Sequence, residues 1–165
     1  MENQLLTPRK YLSFLIGILV FLGLYLTSLH HYLLFHSLAE IFSIAVACGI
    51  FMVAWNSRRF LDNNYLLFIG ISFLSVGGLD LIHTLAYKGM GVFQGYETNL
   101  PIQLWIAVRF LEGISLLIAP LFLSRKLKPN IVFLSYTIVI TLLLLSIFYW
   151  DIFPVCFIEG MGLTP

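Results

Sequence analysis

The stretch that decides the fold is Tyr32–Trp55, YLLFHSLAEIFSIAVACGIFMVAW. It is long enough to cross a bilayer as a helix, which takes about 20 mostly apolar residues. Yet it carries His36 and Glu40, four residues apart. Two later apolar runs repeat the anomaly with Asp80/His83 and Arg109/Glu112. A charged side chain at the centre of a bilayer costs about 2.5–3.5 kcal/mol on insertion scales. Six titratable residues in three neighbouring runs therefore form the layer around which the rest of the chain is read.

The composition agrees with a membrane chain. Of 165 residues, 60% are hydrophobic and 10% charged, against about 45–50% and about 25% in an ordinary soluble domain. Working outward from the quoted stretch, the apolar runs are about 11–29, 32–55, 65–87, 101–123 and 131–150. The fold class expected is all-α, a polytopic transmembrane bundle of five spans. A closed barrel would show short alternating segments instead. The first run exceeds the 7–15 residues of a signal-peptide core and lacks a small-residue cleavage site, so it reads as an uncleaved span. Gly89, Gly91, Gly95 and Asn99 mark a surface loop, and Pro101 marks the start of the fourth helix, where its missing N–H is not needed.

The nine cationic residues set the orientation. Arg9, Lys10, Arg58, Arg59, Arg125, Lys126 and Lys128 fall on one side, Lys88 on the other, and Arg109 inside a span. By the positive-inside rule the N-terminus is cytoplasmic. His36, Glu40, Asp80, His83, Arg109 and Glu112 then share a depth of roughly 6–17 Å below the outer interface, at ~1.5 Å rise per residue. Each pair is spaced i,i+4 or i,i+3, which puts its members side by side. Gly77-Gly78, just below Asp80, lets a neighbouring helix approach closely. Ser37, Ser43, Ser75, Thr84 and Gln103 are available to complete hydrogen bonds. Three carboxylates and one arginine leave about two negative charges for protons or a cation to offset, so the layer is the candidate ligand or sensing site. The bland alternative is that these groups only hold helices together.

Other classes find less support. No nucleophile–base set, phosphate loop or zinc motif occurs, so no enzyme is expected. Cys48 and Cys156 form neither a disulfide framework nor a CxxC site, and there is no basic surface for nucleic acid. No cofactor is required; His36 and His83 at similar depth leave a haem or metal site as an alternative. A transporter or proton relay is a further alternative, although the other half of every span is almost wholly apolar.

His36–Arg58 (HSLAEIFSIAVACGIFMVAWNSR), Phe73–Phe93 (FLSVGGLDLIHTLAYKGMGVF), Trp105–Leu123 (WIAVRFLEGISLLIAPLFL) and the closing FIEGMGLTP together resemble a prokaryotic membrane-associated sensor domain of the MASE type, third family. The resemblance implies an N-terminal input module in the inner (plasma) membrane. Its partners would be the lipid bilayer, an unknown small ligand or ion, and a C-terminal output domain of the diguanylate cyclase or histidine kinase type, with homodimerisation open. It implies cyclic di-GMP or two-component signalling for the parent protein. It also implies further spans after a segment like FIEGMGLTP, so residues 1–165 are expected to be the first part of a larger sensor.

Overall fold

A computed structural model describes residues 8–61, 63–96 and 98–164. The side chains of residues 8–10 lie outside the described part, so the charges expected at Arg9 and Lys10 do too, as does Asp62 of the second connection. Among the described residues five α-helices form: α1 Pro8–His30, α2 Tyr32–Ser57, α3 Tyr65–Ala86, α4 Asn99–Ile118 and α5 Pro129–Phe148. All five are long and apolar enough to cross a membrane.

The chain divides into two compact units, Met1–Ala39 and Glu40–Pro165. The first holds α1 and the opening turns of α2, with only His31 outside a helix between them. There the His31 N–H still bonds to the Thr27 carbonyl and the Phe35 N–H to the His31 carbonyl.

In the second unit α3 is the central element. Twelve of its residues are buried, from Leu67 to Thr84. Its core of Leu67, Phe68, Ile71, Val76 and Leu79 packs with Val108 and Leu111 of α4 and Tyr136 of α5. Outward residues stay apolar, as with Phe42, Phe110 and Leu117 at 71%, 69% and 80% exposure. That pattern suits helices facing lipid, where no water is available to solvate a polar rim.

Two small-residue contacts set α2 against α3. A Cβ built on Gly70 would stand 2.5 Å from the Ala54 Cβ, and one on Gly77 would stand 3.2 Å from the Ala47 Cβ. The helices run antiparallel with a seven-residue repeat along this seam. The expected close approach thus falls on Gly77, and Gly78 meets nothing within 4 Å. Gly70, which carries the tighter contact, was not singled out by the sequence reading. Close approach of this kind drives helix association in membranes through packing rather than hydrophobicity.

The ends of the elements follow local chemistry. The Asn63 side chain accepts from the Tyr65 N–H at 3.2 Å as α3 begins. The fourth helix starts at Asn99, two residues before Pro101, and becomes a 3-10 turn over Ala119–Leu123. Pro120 explains the change: it has no N–H for the i−4 carbonyl, and the chain tightens to i−3 bonding. After α5 the chain forms a small antiparallel hairpin of β1 (Phe157–Ile158) and β2 (Gly162–Leu163). Gly160 and Gly162 adopt φ of 85° and 89° to close it.

Two sets of contacts join the connections of this unit. The Asn64 N–H bonds to the Phe122 carbonyl at 3.1 Å and its side-chain amide to the Arg125 carbonyl at 3.3 Å. The Arg58/Arg59 and Arg125/Lys126 segments therefore share one end. At the other end Lys88 meets Glu159 of the hairpin.

Candidate functional site

Five of the six residues expected in the polar layer belong to the second unit, and the structure brings them together. Arg109 is the hinge of the group. Its Nη2 donates to both Asp80 carboxylate oxygens at 2.8 Å, and its Nη1 meets Glu112 Oε2 at 2.8 Å. The Asp80 side chain is 3% exposed, while those of Glu112 and Arg109 are 25% and 38% exposed. Spacing along the chain pairs Arg109 with Glu112 of its own helix. In the structure the arginine reaches across to α3 as well, and Asp80 is the more deeply buried partner.

His83 forms the second part. Its Nδ1 lies 2.8 Å from the Pro101 carbonyl of α4. A carbonyl only accepts, so Nδ1 carries the hydrogen. That bond fixes the ring and directs Nε2 toward Glu40 Oε1 on α2, 3.9 Å away. The His83 side chain is 5% exposed and that of Glu40 is 19% exposed. The α2–α3 seam accounts for the meeting. Gly70 faces Ala54 and Gly77 faces Ala47, so the next repeat brings Glu40 to the level of His83 and Thr84.

His36 lies in the first unit, where its ring stacks on Tyr32 with centroids 6.2 Å apart and an 11° interplanar angle. Three of the expected supporting hydroxyls bond to carbonyls of their own helices. Ser37 bonds to the Leu33 carbonyl, Ser75 to Ile71 and Thr84 to Asp80. Gln103 turns to the tail, donating to the Phe153 and Pro154 carbonyls at 3.3 and 2.9 Å.

One polar knot escaped the sequence reading. Ser115 Oγ of α4 lies 2.6 Å from the Tyr136 hydroxyl of α5. These residues are single hydroxyls among apolar neighbours, and only their shared register on two helices would have connected them. They tie α4 to α5 on the side of Asp80 nearer the arginine-rich end.

The sequence matches a family described as a membrane-associated sensor domain, MASE3, over residues 27–165. The chain belongs to this family. No curated protein and no solved structure matches it. As a MASE3 domain it is a membrane-located sensory module rather than a catalytic one. The match spans all five residues of the charged cluster, together with His36, the α2–α3 seam and the hairpin.

Proposed function

We propose that the chain is the sensory input domain of a bacterial or archaeal signalling protein in the inner membrane, with the N-terminus cytoplasmic. The output would be of the diguanylate cyclase or histidine kinase type. The input site is the cluster of Glu40, Asp80, His83, Arg109 and Glu112, opening toward the outer face. The stimulus is a proton or a small cation.

One observation carries this reading: His83 is held by the Pro101 carbonyl with its other nitrogen turned to Glu40. Arg109 already serves Asp80 and Glu112. With neutral His83 the five groups carry two net negative charges, and with protonated His83 they carry one. A positive charge between Glu40 and His83 would therefore draw α2 and α3 together in a medium of low dielectric. Such an input shifts a signalling equilibrium only if it binds the two states differently. The Glu40–His83 separation is the element that differs between the states.

The experiment uses the intact parent protein in vesicles, with output activity recorded against external pH and added cations. Glu40→Gln and His83→Asn should flatten the response. Asn keeps a nitrogen near the position of Nδ1, so the bond to Pro101 survives while the Glu40-facing nitrogen is lost. If both variants respond as the wild type does, the cluster is structural and the reading is wrong.

A further inference from the structure

A second site lies outside the helical cluster. The α3–α4 loop and the tail hairpin border a half-open cavity of about 310 Å³, lined by Tyr87, Lys88, Phe93, Tyr96, Thr98 and Glu159, among others. That is at the small end of the roughly 300–1,000 Å³ of small-molecule pockets. We propose that this cavity binds a small zwitterion with an apolar or aromatic body, of amino-acid size.

The charges come first. Lys88 Nζ and Glu159 Oε1 are 3.5 Å apart, with side chains 75% and 66% exposed. Charge-assisted hydrogen bonds run about 2.7–2.9 Å, so this pair is loose, and exposed pairs contribute little. A ligand bearing both charges can separate them at small cost and satisfy each, its ammonium on Glu159 and its carboxylate on Lys88. A ligand with one charge leaves the other side chain without its partner.

The walls define the body. Phe93 and Tyr96 meet edge to face with centroids 6.4 Å apart, and Phe148 of α5 backs both at 5.6 Å. They form a fixed aromatic surface suited to a ring or branched alkyl group. The same cavity is lined by Gly89 and Gly91, where the loop bends at φ of 105° and 69°, a backbone region open to glycine.

The Glu159 wall is itself held in place. Thr98 Oγ1 donates to Glu159 Oε1 at 3.1 Å. Asn99 Oδ1 accepts the Cys156 and Phe157 N–H groups, each at 2.9 Å, which anchors the hairpin on the first turn of α4. Leu85 and Ala86 at the end of α3 also line the cavity, and His83 lies less than one turn before them. The site stands on geometry separate from the Glu40–His83 pair, so it holds whether or not that pair senses protons.

The test is calorimetric titration of the purified chain with L-phenylalanine, phenethylamine and 3-phenylpropanoate. Phenylalanine should bind saturably, with each single-charge analogue weaker by about tenfold or more. Lys88→Met and Glu159→Gln should each weaken phenylalanine by about tenfold; both side chains are exposed, so folding is unaffected. Lys88→Met should leave phenethylamine binding no weaker, and tighter if the stranded lysine opposes it, and Glu159→Gln should do the same for 3-phenylpropanoate. Absence of saturable phenylalanine binding at about 10 mM, well above a millimolar Kd, overturns the proposal. So does equal binding of all three probes, or binding indifferent to both substitutions.

Discussion

Adding one methyl group at Gly70 probes how α2 and α3 meet. The new Cβ would lie 2.5 Å from the Ala54 Cβ, about 0.9 Å short of the 3.4 Å at which ordinary contact begins, with the Phe51 Cα at 3.2 Å behind it. Neither obstacle is a flexible side-chain tip, so the helices themselves must separate. Overpacking of this kind costs about 1–3 kcal/mol, while replacing glycine by alanine in a helix returns about 1 kcal/mol. The tightness of the contact puts Gly70→Ala near the upper figure, for a net loss of about 2 kcal/mol. Gly77→Ala, needing only a few tenths of an ångström at 3.2 Å, should be close to neutral. Gly78→Ala meets nothing within 4 Å and should gain up to about 1 kcal/mol. Unfolding of the purified chain in mixed micelles by added SDS, followed by tryptophan fluorescence, measures all three. The pair Gly70→Ala/Ala54→Gly moves the methyl across the seam. It should lie within about 0.5 kcal/mol of the parent; with Ala54→Gly alone costing about 1 kcal/mol, that gives a coupling of about 3 kcal/mol between the two sites. If Gly70→Ala is as stable as Gly78→Ala, or the double variant is no better than the sum of the singles, the seam is misassigned.

Other perturbations have equally definite outcomes. Arg109→Gln strands the buried Asp80 carboxylate and should cost about 3 kcal/mol in the same assay, with much of the loss recovered by adding Asp80→Asn. Tyr136→Phe removes the hydroxyl bonded to the buried Ser115 and should cost about 1 kcal/mol. Asn99→Ala frees the Cys156 and Phe157 N–H groups, and limited proteolysis should then cut the hairpin faster. Burial pushes the Cys156 thiol pKa up. Less thiolate is then present at a given pH, and the thiolate is the nucleophile. In a Cys48→Ser background, alkylation of Cys156 should therefore be slow, should accelerate as pH rises, and should be faster in Asn99→Ala.

The parts of the molecule legible in the sequence are those that depend on one helix at a time. Each apolar run became a helix because the hydrocarbon environment leaves backbone groups no other partner. The pairing of i,i+4 and i,i+3 residues on one face needs only the helical repeat. What required two helices was harder to read. Gly77-Gly78 announced a close approach, but which glycine faces α2 depends on the crossing, and the tighter contact at Gly70 carries no neighbouring glycine to flag it. Arg109 was read with the carboxylate on its own helix, because spacing along a chain cannot reveal Asp80 on another. Pro120 signalled a broken ladder but was read through as helix, since apolar residues surround it. The hairpin after α5 has strands of two residues each, too short for any alternation to show.

The arginine bridge constrains how a signal can cross this domain. Arg109 holds Asp80 of α3 through one nitrogen and Glu112 of its own helix through another. A piston stroke of α4 by one helical turn, about 5.4 Å, would pull the guanidinium off a carboxylate that has no water to take its place. The glycine–alanine seam resists the same stroke between α2 and α3, because its small residues mesh at only one setting in each repeat. Tilting about Arg109 breaks neither. Rotation about the charged layer is the motion that keeps both contacts, so a small displacement of the helix ends beside the hairpin would emerge as an opposite swing at the arginine-rich end.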